Sequence, residues 1–365
     1  MKKVEYMSDI EQCIRDSAFI GGKHVLEFEQ SFADTIGSAH AVSCGNGTDS
    51  LYLAMKALDL KPGDEVIVPA MSWISTSETV TAAGGVVIFC DIDSNSYTID
   101  VHKIENLVTE RTVGIIPVHL YGQSCDIEKI TKIAKKYKLK VIEDCAQAQG
   151  AKFKNKFVGT FGEFGCFSFY PTKILGAYGD GGFILTNSFK FYSAIKKIRF
   201  YGIDTVDKKN KFYNKYYCNL NGVNSRLDEI NSKILNFKLN KVENFIAKRR
   251  SIAKIYNDQL KNTKLILPNI HKDKYDVFHL YTVYHKKRDL IVKELLKEKI
   301  QTRIIYPFPI HKMNGYSSIF KNDKHKISES KSKGIFSLPL YPELNIKDVK
   351  IICRKLKKIL TTMDS

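Results

Sequence analysis

One lysine stands apart from the many in this chain. Lys173 lies in Phe167-Ser168-Phe169-Tyr170-Pro171-Thr172-Lys173-Ile174-Leu175-Gly176-Ala177-Tyr178-Gly179-Asp180-Gly181-Gly182, between aromatic residues and a run holding four glycines. A solvated surface lysine is the ordinary case and needs no such surroundings. An amine held out of water here has a lowered pKa, and its neutral form attacks an aldehyde. Asp144 stands 29 residues earlier, at the end of the apolar run Val141-Ile142-Glu143-Asp144. A carboxylate at the C-terminal end of a buried parallel strand sits where such sheets bind ligands. It could equally cap the helix that follows. As a ligand it is suited to pair with a protonated pyridine nitrogen and so keep the ring an electron sink.

Two further segments carry groups for an anion. Cys44-Gly45-Asn46-Gly47-Thr48-Asp49 is a glycine-rich turn between a strand and a helix. A helix N-terminus presents unpaired N–H groups and the positive end of its dipole, so it can hold a phosphate, with the Thr48 hydroxyl adding a donor. A plain helix cap by Asn46 or Thr48 explains the same residues. Ser168, five residues before the lysine, offers a second hydroxyl. In Asn221-Gly222-Val223-Asn224-Ser225-Arg226-Leu227-Asp228-Glu229, Ser225 reads as an N-cap and Asp228 as the far half of a capping box. That leaves Asn224 and Arg226 unexplained, and both are phosphate donors.

The elements that must position these groups alternate strand and helix. Strands are expected at 41–44, 65–69, 86–89, 114–118 and 140–144, with helices from Asn46, from about residue 74 to Gly84-Gly85, and around 126–137. Runs apolar on both faces and separated by helices describe an α/β chain with a mostly parallel sheet covered on both sides. Cys166–Tyr170 and Gly182–Thr186 read as two short strands flanking the glycine-rich loop. A long helix starts near residue 227, and a smaller C-terminal domain starts near 240, so the domains run 1–240 and 241–365. The helix over 241–260 sets Val242, Phe245, Ile246, Ile252, Ala253, Tyr256 and Leu260 on one face and its cations elsewhere. Residues 204–219, rich in Lys, Asn and Tyr, have little periodicity and read as a loop. No internal repeat is evident.

Composition bounds the class of protein. The 365 residues suit two domains sharing a site. No run of about 18 apolar residues exists, so no transmembrane helix is expected. The start, Met1-Lys2-Lys3-Val4-Glu5-Tyr6, has no apolar core, so no secretory signal is read and a cytoplasmic location is expected. The eight cysteines are scattered without a C-x-x-C pair or a histidine cluster, and read as buried thiols, with no metal site. The net charge of +18 invites a nucleic-acid reading. Its lysines are diluted through amphipathic helices, which favours a solvated basic surface that concentrates an anionic substrate.

Taken together, "EDCAQAQGA", "CFSFYPTKILGAYGDGG" and "NSRLDEI" resemble the DegT/DnrJ/EryC1/StrS sugar aminotransferases, of fold type I (aspartate aminotransferase-like), from about residue 10 to the C-terminus. The resemblance implies pyridoxal 5'-phosphate on Lys173, the catalytic residue, cycling through pyridoxamine 5'-phosphate. It implies Asp144 at the pyridine nitrogen, Gln147 beside the ring oxygen, Trp73 stacked on the ring, and Gly47, Thr48 and Ser168 at the phosphate. Asn224 is implied to reach the phosphate in a neighbouring subunit, hence a homodimer with shared active sites. Lys173 would carry the proton between donor and cofactor in both halves of a ping-pong exchange with L-glutamate. A dehydratase branch of the same family replaces that lysine by histidine. "HLYGQ" (119–123), "YPFPIH" (306–311) and the lysine loop are also similar to enzymes that aminate C3 of dTDP-3-keto-6-deoxyhexoses, the Fuc3N and Qui3N type of surface polysaccharide precursor. Those relatives usually carry asparagine at Ile174 and histidine at Gln149. Tyr178, Tyr306 and His311 are expected as walls of the sugar site, with Arg226 or Arg303 near anionic groups.

Overall fold

The computed structural model describes residues 7–204, 216–320 and 323–364. Most of the expected loop, 205–215, lies outside them. Helices α1 (Met7–Arg15) and α2 (Lys23–Ile36) precede strand β1 (His40–Cys44). Then α3 (Gly47–Ala57), β2 (Glu65–Pro69), α4 (Ser75–Ala82), β3 (Val86–Cys90), α5 (Val101–Ile104), β4 (Thr112–Ile115), α6 (Ile127–Tyr137) and β5 (Lys140–Asp144) alternate. A short hairpin, β6 (Lys152–Phe153) and β7 (Lys156–Phe157), is followed by β8 (Phe164–Ser168), β9 (Gly182–Thr186) and α7 (Phe189–Ile198).

Seven of these strands form one sheet in the order β1-β9-β8-β5-β4-β2-β3. β9 runs antiparallel to both its neighbours, and the other pairs are parallel. Alternate residues serve opposite faces, as the two-residue period of a strand requires. Val66, Val68, Ile142, Cys166 and Ile184 enter one core beneath α3, α4 and α7. Ile67 and Val141 face a second core against α6. Phe167, Phe183 and Leu185 face a third, with Phe28 and Phe32 of α2. Both faces are therefore dry, which accounts for the continuous apolar strands.

The rest of the chain comprises α8 (Glu229–Leu239), α9 (Val242–Leu260), β10 (Lys274–Tyr275), β11 (Tyr281–Tyr284), α10 (Arg288–Lys297), α11 (Asn314–Ser317), α12 (Lys326–Lys331), β12 (Ile335–Leu338) and α13 (Ile346–Asp364). β11 and β12 pair antiparallel, and with α9, α10 and α13 they enclose a separate core. The packing does not divide cleanly at residue 240. Val242 and Ile246 stay with the core of α2 and α8, while Ile252 onward joins the C-terminal core. Ile310 and Tyr316 return to the main sheet beside Phe89, and the Ile310 N–H donates to the Ala70 carbonyl at 2.8 Å. The cations of α9 are also not all on its outer face: Arg249 is buried.

Candidate active site

β5 and β8 are parallel, so Asp144 and Ser168 finish at one edge of the sheet. β9 starts from that edge in the opposite direction, and residues 169–181 loop out and back between the two. Three backbone bonds tighten the excursion: Phe169 N to Gly181 O (2.7 Å), Ala177 N to Phe169 O (2.7 Å) and Lys173 N to Tyr170 O (2.8 Å). The loop brings Lys173 into a cleft of about 2170 Å³ that also holds Asp144, Gly47, Thr48, Trp73, Gln147 and Ser168. Tyr178, Arg303 and Tyr306 line it too.

Lys173 and Asp144 perturb one another. Burial pulls the Lys173 ammonium below the usual lysine range, and the Asp144 carboxylate opposes this. Burial raises the Asp144 carboxyl, against the Ala146 N–H, the Thr76 hydroxyl and the charge of Lys173. Asp144 accepts two hydrogen bonds, from Ala146 N at 3.1 Å and from Thr76 Oγ1 at 3.0 Å. A carboxylate has room for more, so the orientation is held while capacity for a ligand N–H remains. Behind it, His119 Nδ1 accepts the Cys125 N–H at 3.1 Å, which places the ring proton on Nε2, toward Glu143 Oε2 at 3.0 Å. Glu143 also accepts the N–H groups of Gly159, Phe161 and Gly162 at 2.7–2.9 Å. Cys145 lies within this group, so a cysteine does meet a histidine in space although their spacing in the chain conceals it.

The segment expected to cradle an anion is the N-terminus of α3. Asn46 is its cap, accepting the Asp49 N–H at 2.8 Å, so the capping reading holds and is compatible with an anion at the same helix end. The chain passes very close here. A Cβ on Gly47 would lie 2.6 Å from Ser168 Cβ, and one on Gly182 would lie 1.9 Å from the Asn46 carbonyl oxygen. Only glycine lets the helix end meet the ends of β8 and β9 this closely. Thr48 Oγ1 lies 2.7 Å from Ser75 Oγ. Ser225 does not cap a helix. It donates to Asp49 Oδ2 at 2.5 Å and accepts the Gly45 N–H at 2.8 Å, while Asp228 caps α8 through the Asn231 N–H. Ser225 is thus spent on bracing the cradle, and the helix begins three residues later than a cap there would place it.

Gln147 bridges two tyrosines, accepting the Tyr121 N–H at 2.8 Å and donating to the Tyr306 hydroxyl at 2.6 Å. Tyr306 and Tyr121 both have positive φ, +65° and +60°, in the left-handed region that side chains avoid. Trp73 is 62% exposed. Asn224 and Arg226 are exposed and lie outside the cleft, with Arg226 over the Phe200 ring. His311 is not brought to the cleft either. It is fully buried, 3.1 Å from Glu329 and packed edge-on against His325, so it does not line the cleft that holds Lys173.

Several groups at the site carried no motif. Thr76 holds Asp144 from α4. Lys238 donates to the Gly176 carbonyl at 2.6 Å and lies over the Tyr178 ring, clamping the lysine loop. Arg249 and His279 line the cleft from the C-terminal side. Of these, only the place of Arg249 among the apolar positions of a helix could have marked it.

Residues 1–357 match the model of the DegT/DnrJ/EryC1/StrS aminotransferase family. The chain belongs to that family. A dTDP-3-amino-3,6-dideoxy-alpha-D-galactopyranose transaminase of Aneurinibacillus thermoaerophilus is 40% identical over 95% of this chain and 94% of its own. A protein of Geobacillus stearothermophilus named pleiotropic regulatory protein is 38% identical over 97% and 94%. A UDP-2-acetamido-2-deoxy-3-oxo-D-glucuronate aminotransferase of Pseudomonas aeruginosa is 37% identical over 95% and 94%. The crystal structure of S. venezuelae DesV in complex with a ketimine intermediate superposes with a TM-score of 0.91, at 30% identity, covering 98% of this chain and 94% of that one.

Like other members of the DegT/DnrJ/EryC1/StrS family, the protein is an aminotransferase that depends on pyridoxal phosphate. Its own residues fit that group. Lys173 presents a desolvated amine, Asp144 a buried carboxylate with unused acceptor capacity, and α3 a helix end closed in by Ser168. The bound cofactor would supply an electron sink for a proton leaving carbon. Asp144 would hold the ring nitrogen protonated and Gln147 would orient the opposite edge. The amine of Lys173, its pKa lowered by burial, would be the group that takes and returns the proton.

Proposed function

We propose that the enzyme transfers an amino group from L-glutamate to C3 of a dTDP-3-keto-6-deoxyhexose, giving a dTDP-3-amino-3,6-dideoxyhexose for surface polysaccharide synthesis in the cytoplasm. The observation that carries this reading is the 40% identity to the dTDP-3-amino-sugar transaminase over nearly the whole of both chains. The cleft supports it. Tyr178, Tyr306 and Arg303 line the same opening as Lys173, and its size suits a substrate far larger than an amino acid. Each site would be completed by a second copy of the chain in a homodimer, with Asn224 serving the partner's phosphate site from its exposed position outside this cleft. The test is the product. Purified enzyme, glutamate and dTDP-3-keto-6-deoxyhexose should yield a C3 amino sugar by NMR and mass spectrometry. Amination only at C4, or only of UDP-linked sugars, refutes the substrate while leaving the aminotransferase assignment intact.

A further inference from the structure

Two buried side chains in the cleft have hydrogen-bonding capacity that no described residue uses. Arg249 is 6% exposed. Its Nη1 donates to the carbonyls of Phe278 (3.2 Å), His279 (3.1 Å) and Leu340 (3.2 Å), strapping α9 to the segments flanking β11 and β12. Its Nε has no partner, and no carboxylate forms an ion pair with the guanidinium among the described residues. Burial lowers its pKa to about 10, with the charge of Glu343 opposing, so it stays ionised at neutral pH. His279 is 8% exposed, and its Nδ1 likewise has no partner. Burial, then the positive charges of Lys173 and Arg249, hold its ring neutral.

Strapping explains Nη1 alone. Buried polar groups are almost always paired, and a buried charge without a counter-ion is costlier still. The partners missing here are an anion for the guanidinium and a hydrogen-bond partner for the imidazole Nδ1, which in its protonated tautomer donates to the same anion. Nε and Nη2 form one edge of the guanidinium, the fork that takes both oxygens of a carboxylate.

We propose that Arg249 and His279 form a carboxylate subsite beside Lys173. The anion cradle of α3 is a separate element, so this positive group is free for a second anion. Two sources carry the required chemistry: the carboxylate of the amino-acid donor, and the C6 carboxylate of a uronate sugar. The inference rests on the cleft being the transamination site and is independent of which sugar accepts nitrogen.

The test is calorimetry on the cofactor-loaded enzyme with two probes. Glutarate has the donor's shape without the amine, and UDP-glucuronate is compared with UDP-glucose. Glutarate binding marks the donor as the source, and preference for UDP-glucuronate marks a uronate. Arg249→Lys and His279→Gln are each expected to weaken the bound carboxylate probe about tenfold or more, the worth of a charge-assisted hydrogen bond. Cofactor content is expected to hold in both variants and melting temperature in His279→Gln, whereas Arg249→Lys also loses the Nη1 strap and is expected to melt lower. Should Arg249→Lys not fold, His279→Gln decides alone. Affinity unchanged by the substitutions, or a loaded enzyme that aminates a keto sugar yet binds neither carboxylate, overturns the subsite. A chain that takes up no cofactor instead overturns the transamination reading.

Discussion

Thr76 Oγ1, at the start of α4, donates to Asp144 Oδ2, at the end of β5, across 3.0 Å. The donor comes from 68 residues earlier in the chain and is fully buried. Among the described residues it is one of two hydrogen bonds that hold the carboxylate in place, the other being from the Ala146 N–H. Thr76→Val keeps the shape and deletes the donor. The expected result is a loss of about 1–3 kcal/mol in holding the ionised carboxylate, read as weaker cofactor binding and a lower kcat with the fold intact. Asp144→Asn should cost far more activity, because an amide cannot neutralise a ring cation. Spectrophotometric cofactor titration with steady-state kinetics checks both.

Gly47 faces Ser168 so closely that any side chain must move the helix end. Gly47→Ala puts a Cβ 2.6 Å from Ser168 Cβ. Overpacking of this kind costs about 1–3 kcal/mol, and it falls on the groups proposed to hold the phosphate. Cofactor affinity should drop more than melting temperature does. Equal loss in both would assign Gly47 a purely structural role.

Asp276 gives a stability effect with a defined sign. It is 5% exposed, and its Oδ1 has no hydrogen-bond partner among the described residues. Burial raises its pKa from 3.8 to about 6, against the charges of Lys274 and Arg250. The folded state therefore favours the protonated acid. The stabilisation is fully present below about pH 4 and is lost as pH rises through about 6. Asp276→Asn should raise the melting temperature at pH 8, by up to about 3 kcal/mol of stability, and change it little at pH 4. A melting-temperature profile across that range is the measurement.

Seven of the eight cysteines are buried and one, Cys218, is exposed. Burial pushes the Cys145 thiol up to about 12 and raises Cys44, Cys90 and Cys166 still further. Thiolates are the reactive form, so these are protected twice over. A maleimide should add once to the native enzyme, at Cys218, and to all eight residues in denaturant. Peptide mass spectrometry reads the site. Rapid native labelling at Cys145 would contradict the packing behind Asp144.

Much of this site was legible before any coordinates, for a physical reason. Lys173, Asp144, Gly47 and Ser168 sit in contiguous segments whose backbone shape the chemistry dictates, so their neighbours in the chain betray them. The alternating strands were legible too, since burial on both faces leaves uninterrupted apolar runs. Thr76, Arg249 and His279 act across distances that no local pattern records. The N-cap of α8 was misplaced because Ser225 and Asp228 are both good caps, and the sequence does not show that the first is occupied by Gly45 and Asp49. His311 misled in the same way, since its motif does not reveal a burial partner at Glu329.

The reversed strand β9 bears on how the enzyme is made. β1 pairs with it from His40↔Thr186 to Cys44↔Gly182, so the sheet edge bearing the α3 cradle is joined only to residues far downstream. A nascent chain leaving the ribosome carries half its cradle early and waits for the remainder. Contacts of such long sequence separation form late and slow folding. Chains halted before Thr186 should neither complete the edge nor retain the cofactor, which makes capture of the coenzyme one of the last events in maturation.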